Sequence, residues 1–169
     1  ASVPCEPLRD QEKSSKMTKF FFDNLDDELF RTYAFWSAIL VVKMLAITQW
    51  TSEMRGRKQA FHSIEDTSYK SATLQPKFDD PDVERIRRAH RNDLENILPF
   101  FLAALLYLLT GPSPAIAANL IRVAAVARIC HSVVYAVYVL PQPARFLSFA
   151  AMLLANGYMA ASCVLYYCF

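Results

Sequence analysis

Val83-Glu-Arg-Ile-Arg-Arg-Ala-His-Arg-Asn-Asp-Leu-Glu-Asn-Ile-Leu-Pro99, running straight into Phe100-Phe-Leu-Ala-Ala-Leu-Leu-Tyr-Leu-Leu109, decides the fold. The first half carries five basic groups, counting His90, and three acids, whereas the second carries no charge. At 3.6 residues per turn, Glu84, Arg88, Arg91 with Asn92, and Glu95 share one stripe. A charged stripe on a helix that enters lipid cannot face acyl chains. It must face other helices or a wet cavity, which makes it a candidate functional surface.

The rest of the chain supports a membrane setting. Of 169 residues, 54% are apolar and 20% charged, greasier than an ordinary soluble domain. The net charge of +2 comes from bases interleaved with acids, which argues against a nucleic-acid partner. Three glycines are too few for a Gly-rich phosphate loop. Cys5, Cys130, Cys163 and Cys168 form no CxxC pair and read as small buried hydrophobes rather than a disulfide or zinc framework. His62, His90 and His131 lack metal-ligand spacing, so no metal is expected.

Four hydrophobic spans are predicted, at about 30–51, 80–109, 115–140 and 145–169, each near the ~20 residues needed to cross a hydrocarbon core. The expected fold is all-α, an integral-membrane four-helix bundle over 30–169, preceded by a polar N-terminal extension over 1–29 with no cleavable signal peptide. Pro-containing turns at 111–114 and 141–143 make the last three helices antiparallel neighbours. Lys43, the interior charge of the first span, is long enough to snorkel or to pair inside the bundle. Arg55, Arg57 and Lys58 follow that span, and the positive-inside rule places the 52–79 connection in the cytosol.

The notable polar groups gather at that same end. Helix two supplies Glu84, Arg88, Arg91, Asn92 and Glu95; helix three supplies Arg128, His131 and Tyr135, which also share a face. The turn into helix four supplies Arg145, and the long connection supplies Arg55 and the pair Glu65-Asp66. Arginine forks bind carboxylates, asparagine both donates and accepts, and glutamate can take an amine, so the set suits a small zwitterionic ligand. The competing reading is a set of interhelical ion pairs. Glu84 with Arg88, four residues apart, is read that way, and Asp93, on another face, is read as the structural partner of a basic residue. No Ser-His-Asp or Cys-His arrangement follows from the spacing, so the ligand is expected to bring its own nucleophile.

Glu84-Arg-x-x-x-Ala-x-x-Asn92-Asp-x-Glu95 before an apolar run resembles the signature of the membrane-associated proteins in eicosanoid and glutathione metabolism, the MAPEG family. The likeness runs from Val41-Val-Lys-Met-Leu45 to the C-terminus. It includes Phe78-Asp-Asp-Pro-Asp-Val-Glu-Arg85, Ala127-Arg-Ile-Cys-His-Ser-Val-Val-Tyr135 and Pro141-Gln-Pro-Ala-Arg145. The resemblance implies a homotrimer in the endoplasmic reticulum or outer mitochondrial membrane, binding glutathione between subunits near the cytosolic side. It implies ligand contacts from Arg55, Arg91, Asn92, Glu95, His131 and Tyr135, with Arg128 beside them, and Arg145 as the group that holds the sulfur as a thiolate. A second substrate, a hydrophobic electrophile, would arrive through the bilayer.

Two departures from the family pattern matter. The endoperoxide-isomerase branch has a serine after the catalytic arginine and a tyrosine one turn on, where this chain has Phe146 and Phe149. The transferase branch has a reactive cysteine after its Glu-Asp pair, where this chain has Thr67. Asp66 matches an aspartate paired with the catalytic arginine in some accounts of the isomerase. The expected activity is glutathione conjugation, with peroxidase activity toward lipid hydroperoxides. Glutathione-dependent endoperoxide isomerisation and non-enzymatic binding on the same scaffold are the alternatives.

Overall fold

The structure, a computed structural model, describes residues 25–70 and 75–169. The described residues form five α-helices and no strand: α1 Asp27–Lys58, α2 Ile64–Lys70, α3 Pro81–Leu109, α4 Pro114–Ser132 and α5 Gln142–Cys168. A π-helical turn, Val133–Val137, continues α4. Four of these helices are long and apolar enough to cross a membrane. Most of the extension expected over 1–29 lies outside the described residues.

Local chemistry sets the helix ends. Asp26 caps α1 by accepting from the Leu29 amide at 2.7 Å. Asp80 caps α3 by accepting from the amides of Asp82 and Val83 at 3.2 and 3.3 Å, with Pro81 at the first position, where its missing N–H costs nothing. Pro114 opens α4 in the same way, after Gly111 turns the chain at φ 65°.

The four predicted spans fall on the four long helices, with shifted edges. α1 extends to Lys58 instead of Thr51, because Glu53, Met54, Arg55, Arg57 and Lys58 are good helix formers and the basic ones suit a helix C-terminus. α5 begins at Gln142 rather than Arg145, and α4 gives way to the π turn before Leu140. The short α2 inside the 52–79 connection was not anticipated; seven mostly polar residues carry little periodic signal.

α1, α3, α4 and α5 pack on one another around Leu40, Ile97, Phe100, Ala104, Ile121, Met152 and Met159, all fully buried. Alanines 117, 124 and 125 on α4 let the helices approach closely. The outward faces are apolar too. Phe35, Val42, Leu45, Leu102, Leu147 and Leu154 are each more than half exposed, as a lipid-facing surface requires. The cysteines follow this pattern only in part. Cys163 is buried, but Cys130 and Cys168 lie on exposed faces, where an apolar exterior accepts a thiol as readily as a core does.

Candidate functional site

Helix α3 carries two polar faces that begin one residue apart. Asn92 faces a cavity and Asp93 faces the bundle core, because successive helical residues diverge by about 100°. Asp93 is fully buried. It accepts from Lys43 Nζ and Arg128 Nε, each at 2.7 Å, and from Ser132 Oγ at 3.2 Å. Lys43 therefore pairs inside the bundle, and Asp93 is the structural partner expected of it.

The cavity has a volume of about 330 Å³. α3 contributes Arg88, Arg91, Asn92 and Glu95; α4 and its π turn contribute His131 and Tyr135; α5 contributes Gln142, Arg145, Phe146 and Phe149. Three guanidiniums face one carboxylate. Among the described residues none of Arg88, Arg91, Glu95 and Arg145 is engaged in an ion pair. The guanidinium of Arg145 lies over the Tyr135 ring, 5.2 Å from its centroid, and Tyr135 leans on His131 with centroids 5.6 Å apart. The π turn helps to aim Tyr135: widening the helix by one residue rotates the side chains that follow, a distortion common at functional sites. Pro99, one turn beyond Glu95, lacks the N–H that the Glu95 carbonyl would otherwise accept.

Six of the eight sequence-predicted site residues thus meet in one cavity. The other two do not. Arg128, expected among the ligand contacts, is fully buried behind the wall and donates through Nη2 to Asn92 Oδ1 at 2.6 Å. Arg55, on α1, lies in a separate cavity of about 390 Å³ lined also by Thr48, Thr51, Ser52, Arg87, His90 and Leu94. Arg91 borders both cavities. Asp66 bonds Arg55 at 3.3 Å and does not line the cavity that holds Arg145.

Two further residues line the cavity. Arg88 is not the partner of Glu84; that carboxylate is held by Arg87 at 2.6 Å, with His62 Nε2 3.7 Å away, which leaves Arg88 on the cavity face. Its place on the Arg91–Glu95 stripe was the available signal. Gln142 was hidden because the sequence put it in a turn rather than on the first turn of α5.

These features define a polytopic α-helical membrane protein with a cationic, aromatic-backed cavity among three of its helices. Residues 33–165 match the MAPEG family, and the chain belongs to that family. It is 41% identical over 128 residues to human (Homo sapiens) microsomal glutathione S-transferase 1, covering 74% of this chain and 82% of that protein. It is 40% identical over 128 residues to prostaglandin E synthase of Equus caballus, covering 76% and 82%. To the Mus musculus prostaglandin E synthase it is 46% identical over 99 residues, covering 59% of this chain and 64% of that protein.

Proposed function

We propose that this protein is a membrane-bound glutathione transferase that joins the glutathione sulfur to hydrophobic electrophiles. The observation that carries the reading is Arg145, held over the Tyr135 ring in the cavity that also contains Arg91, Asn92 and Glu95. A free thiol with a pKa of ~8.5 is only a few per cent thiolate at neutral pH, and the thiolate is the nucleophile. A guanidinium in a partly dry site favours the anion. Lowering that pKa by about two is worth roughly 2.7 kcal/mol and makes most of the bound thiol reactive. Arg88 and Arg91 suit the two carboxylates of glutathione, and Glu95 suits its ammonium. Phe146 and Phe149 offer an apolar floor for the electrophile. In conjugation the thiolate forms the S–C bond and the leaving group departs with the electron pair. In the peroxidase reaction two glutathiones reduce a lipid hydroperoxide to alcohol and water and leave as the disulfide.

The working unit is a homotrimer with glutathione between subunits. The support is the family resemblance, which implies that arrangement. The site faces the cytosol, the side assigned by Arg55, Arg57 and Lys58, and the protein resides in the endoplasmic reticulum membrane with the outer mitochondrial membrane as a second location.

Conjugation to a chlorinated nitrobenzene by detergent-purified protein tests the reading. Arg145→Ala should lose roughly 20-fold in kcat at neutral pH, as the thiolate fraction falls from most of the bound thiol to a few per cent, while still binding glutathione. Folded wild type without conjugating activity would overturn it. The second reading, glutathione-dependent endoperoxide isomerisation, is favoured by the similarity to prostaglandin E synthases. A prostaglandin endoperoxide offered in the same assay separates the two. If neither reaction occurs but glutathione binds, the scaffold is a binding protein.

A further inference from the structure

Behind the cavity wall lies a layer of charge that the chemistry above does not use. Lys43 alone would neutralise Asp93, and it sits 2.7 Å away. Arg128 adds a second cation to the same carboxylate, so the buried set holds two positive charges against one negative. Burying the extra guanidinium works against stability. Arg128 also keeps its Nη1 buried without a hydrogen-bond partner, a further cost. A structural role would be served by the lysine–aspartate pair alone.

What Arg128 does, and Lys43 does not, is reach the cavity wall. Its Nη2 donates to Asn92 Oδ1 at 2.6 Å. A guanidinium has only donors, so this bond fixes the amide with its oxygen turned inward. The Asn92 NH₂ is then the end left for the cavity, and no acceptor among the described residues takes its hydrogens. We infer that Arg128, clamped by Asp93, is a positioning residue that makes Asn92 a pure hydrogen-bond donor in the cavity, and that Asn92 therefore reads an anionic acceptor on the ligand. The inference deepens the proposed function and rests on it. Three guanidiniums and an oriented amide donor face the single acceptor carboxylate of Glu95. Such a wall selects a ligand with at least two anionic ends and one ammonium, which is the charge pattern of glutathione.

The test uses the full chain in detergent, with glutathione affinity read by isothermal titration and KM and kcat read from conjugation. Asn92→Asp keeps an oxygen for Arg128 but turns the cavity-facing donor into a carboxylate oxygen. It should weaken glutathione binding by at least about 30-fold, and by more than Asn92→Ala does, without lowering the thermal midpoint. Arg128→Met leaves the neutral Lys43–Asp93 pair in place. It should raise Kd and KM about tenfold with kcat at saturation kept within about threefold, and add less than about twofold in the Asn92→Ala background. Asn92→Asp binding as tightly as wild type, or Arg128→Met multiplying fully onto Asn92→Ala, would overturn the inference. If Arg128→Met fails to fold, the order of Asn92→Asp and Asn92→Ala decides alone: weaker binding by the aspartate upholds it and equal or tighter binding overturns it. Wild type that binds no glutathione at millimolar concentration brings down the functional reading and this inference with it. Wild type that binds while Asn92→Asp binds equally well brings down the inference alone.

Discussion

Asp93 and Glu95 are two carboxylates on the same helix, half a turn apart, and they are handled in opposite ways. Asp93 is fully buried and held by a lysine, an arginine and a serine. Glu95 stands on an open cavity beside three guanidiniums and pairs with none of them. A charge deep in a membrane bundle must find its partner inside the protein or be left for something that arrives from outside. The contrast separates charge that holds the helices together from charge kept available, and only the second kind marks a site.

The sharpest way to break that contrast is at Asp93. Asp93→Ala strands Lys43 and Arg128 in the core with no counter-charge. It should cost about 3–5 kcal/mol, enough to lose most of the folded protein, as thermal unfolding in detergent would report. Glu95→Gln should do the reverse. Its melting midpoint should stay near wild type, while KM for glutathione rises at least about tenfold through loss of the charge-assisted contact with the ligand ammonium. If Glu95→Gln melted early, or Asp93→Ala stayed folded and merely bound poorly, the division between holding and binding charge would be misplaced.

The same division explains how much of the site is legible in the sequence. The four long helices were legible because each is a sustained apolar run closed by proline or charge, and the cavity face of α3 was legible because period 3.6 aligns Arg88, Arg91 and Glu95. Arg128 was not legible as a buried group. Its spacing from His131 puts it on the site-facing side of α4, but a rotation of a few tens of degrees turns a cavity contact into a core contact, and only packing sets that rotation. Glu84 pairs with Arg87 rather than with the expected Arg88 for a similar reason: positions three and four residues away are both in reach, and His62 from the connection favours the side that carries Arg87. Arg55 lies too far along the chain from the stripe for periodicity to relate them.

The smallest expected effect lies at the rim, where the connection is fastened to α3 by His62. Arg87 Nη1 lies 3.0 Å from His62 Nδ1, and a guanidinium can only donate, so the ring must be neutral with its proton on Nε2, the nitrogen that faces Glu84 Oε1. Burial, together with the Arg87 and Arg55 guanidiniums, pushes His62 below its ordinary value and outweighs the opposing pull of Glu84. An unfolded chain thus takes up this proton more readily than the folded one. The contribution of His62 is therefore complete above a pH of about 6.5 and is lost as the pH falls through its lowered folded value. Cleavage by a protease between Lys58 and Pro81 should rise severalfold on going from about pH 7.5 to 5.5. Because glutamine cannot take up the proton, His62→Gln should flatten that dependence. A wild-type profile as flat as that of the variant would mean that the connection is held by Arg55–Asp66 and Lys58–Asp82 instead.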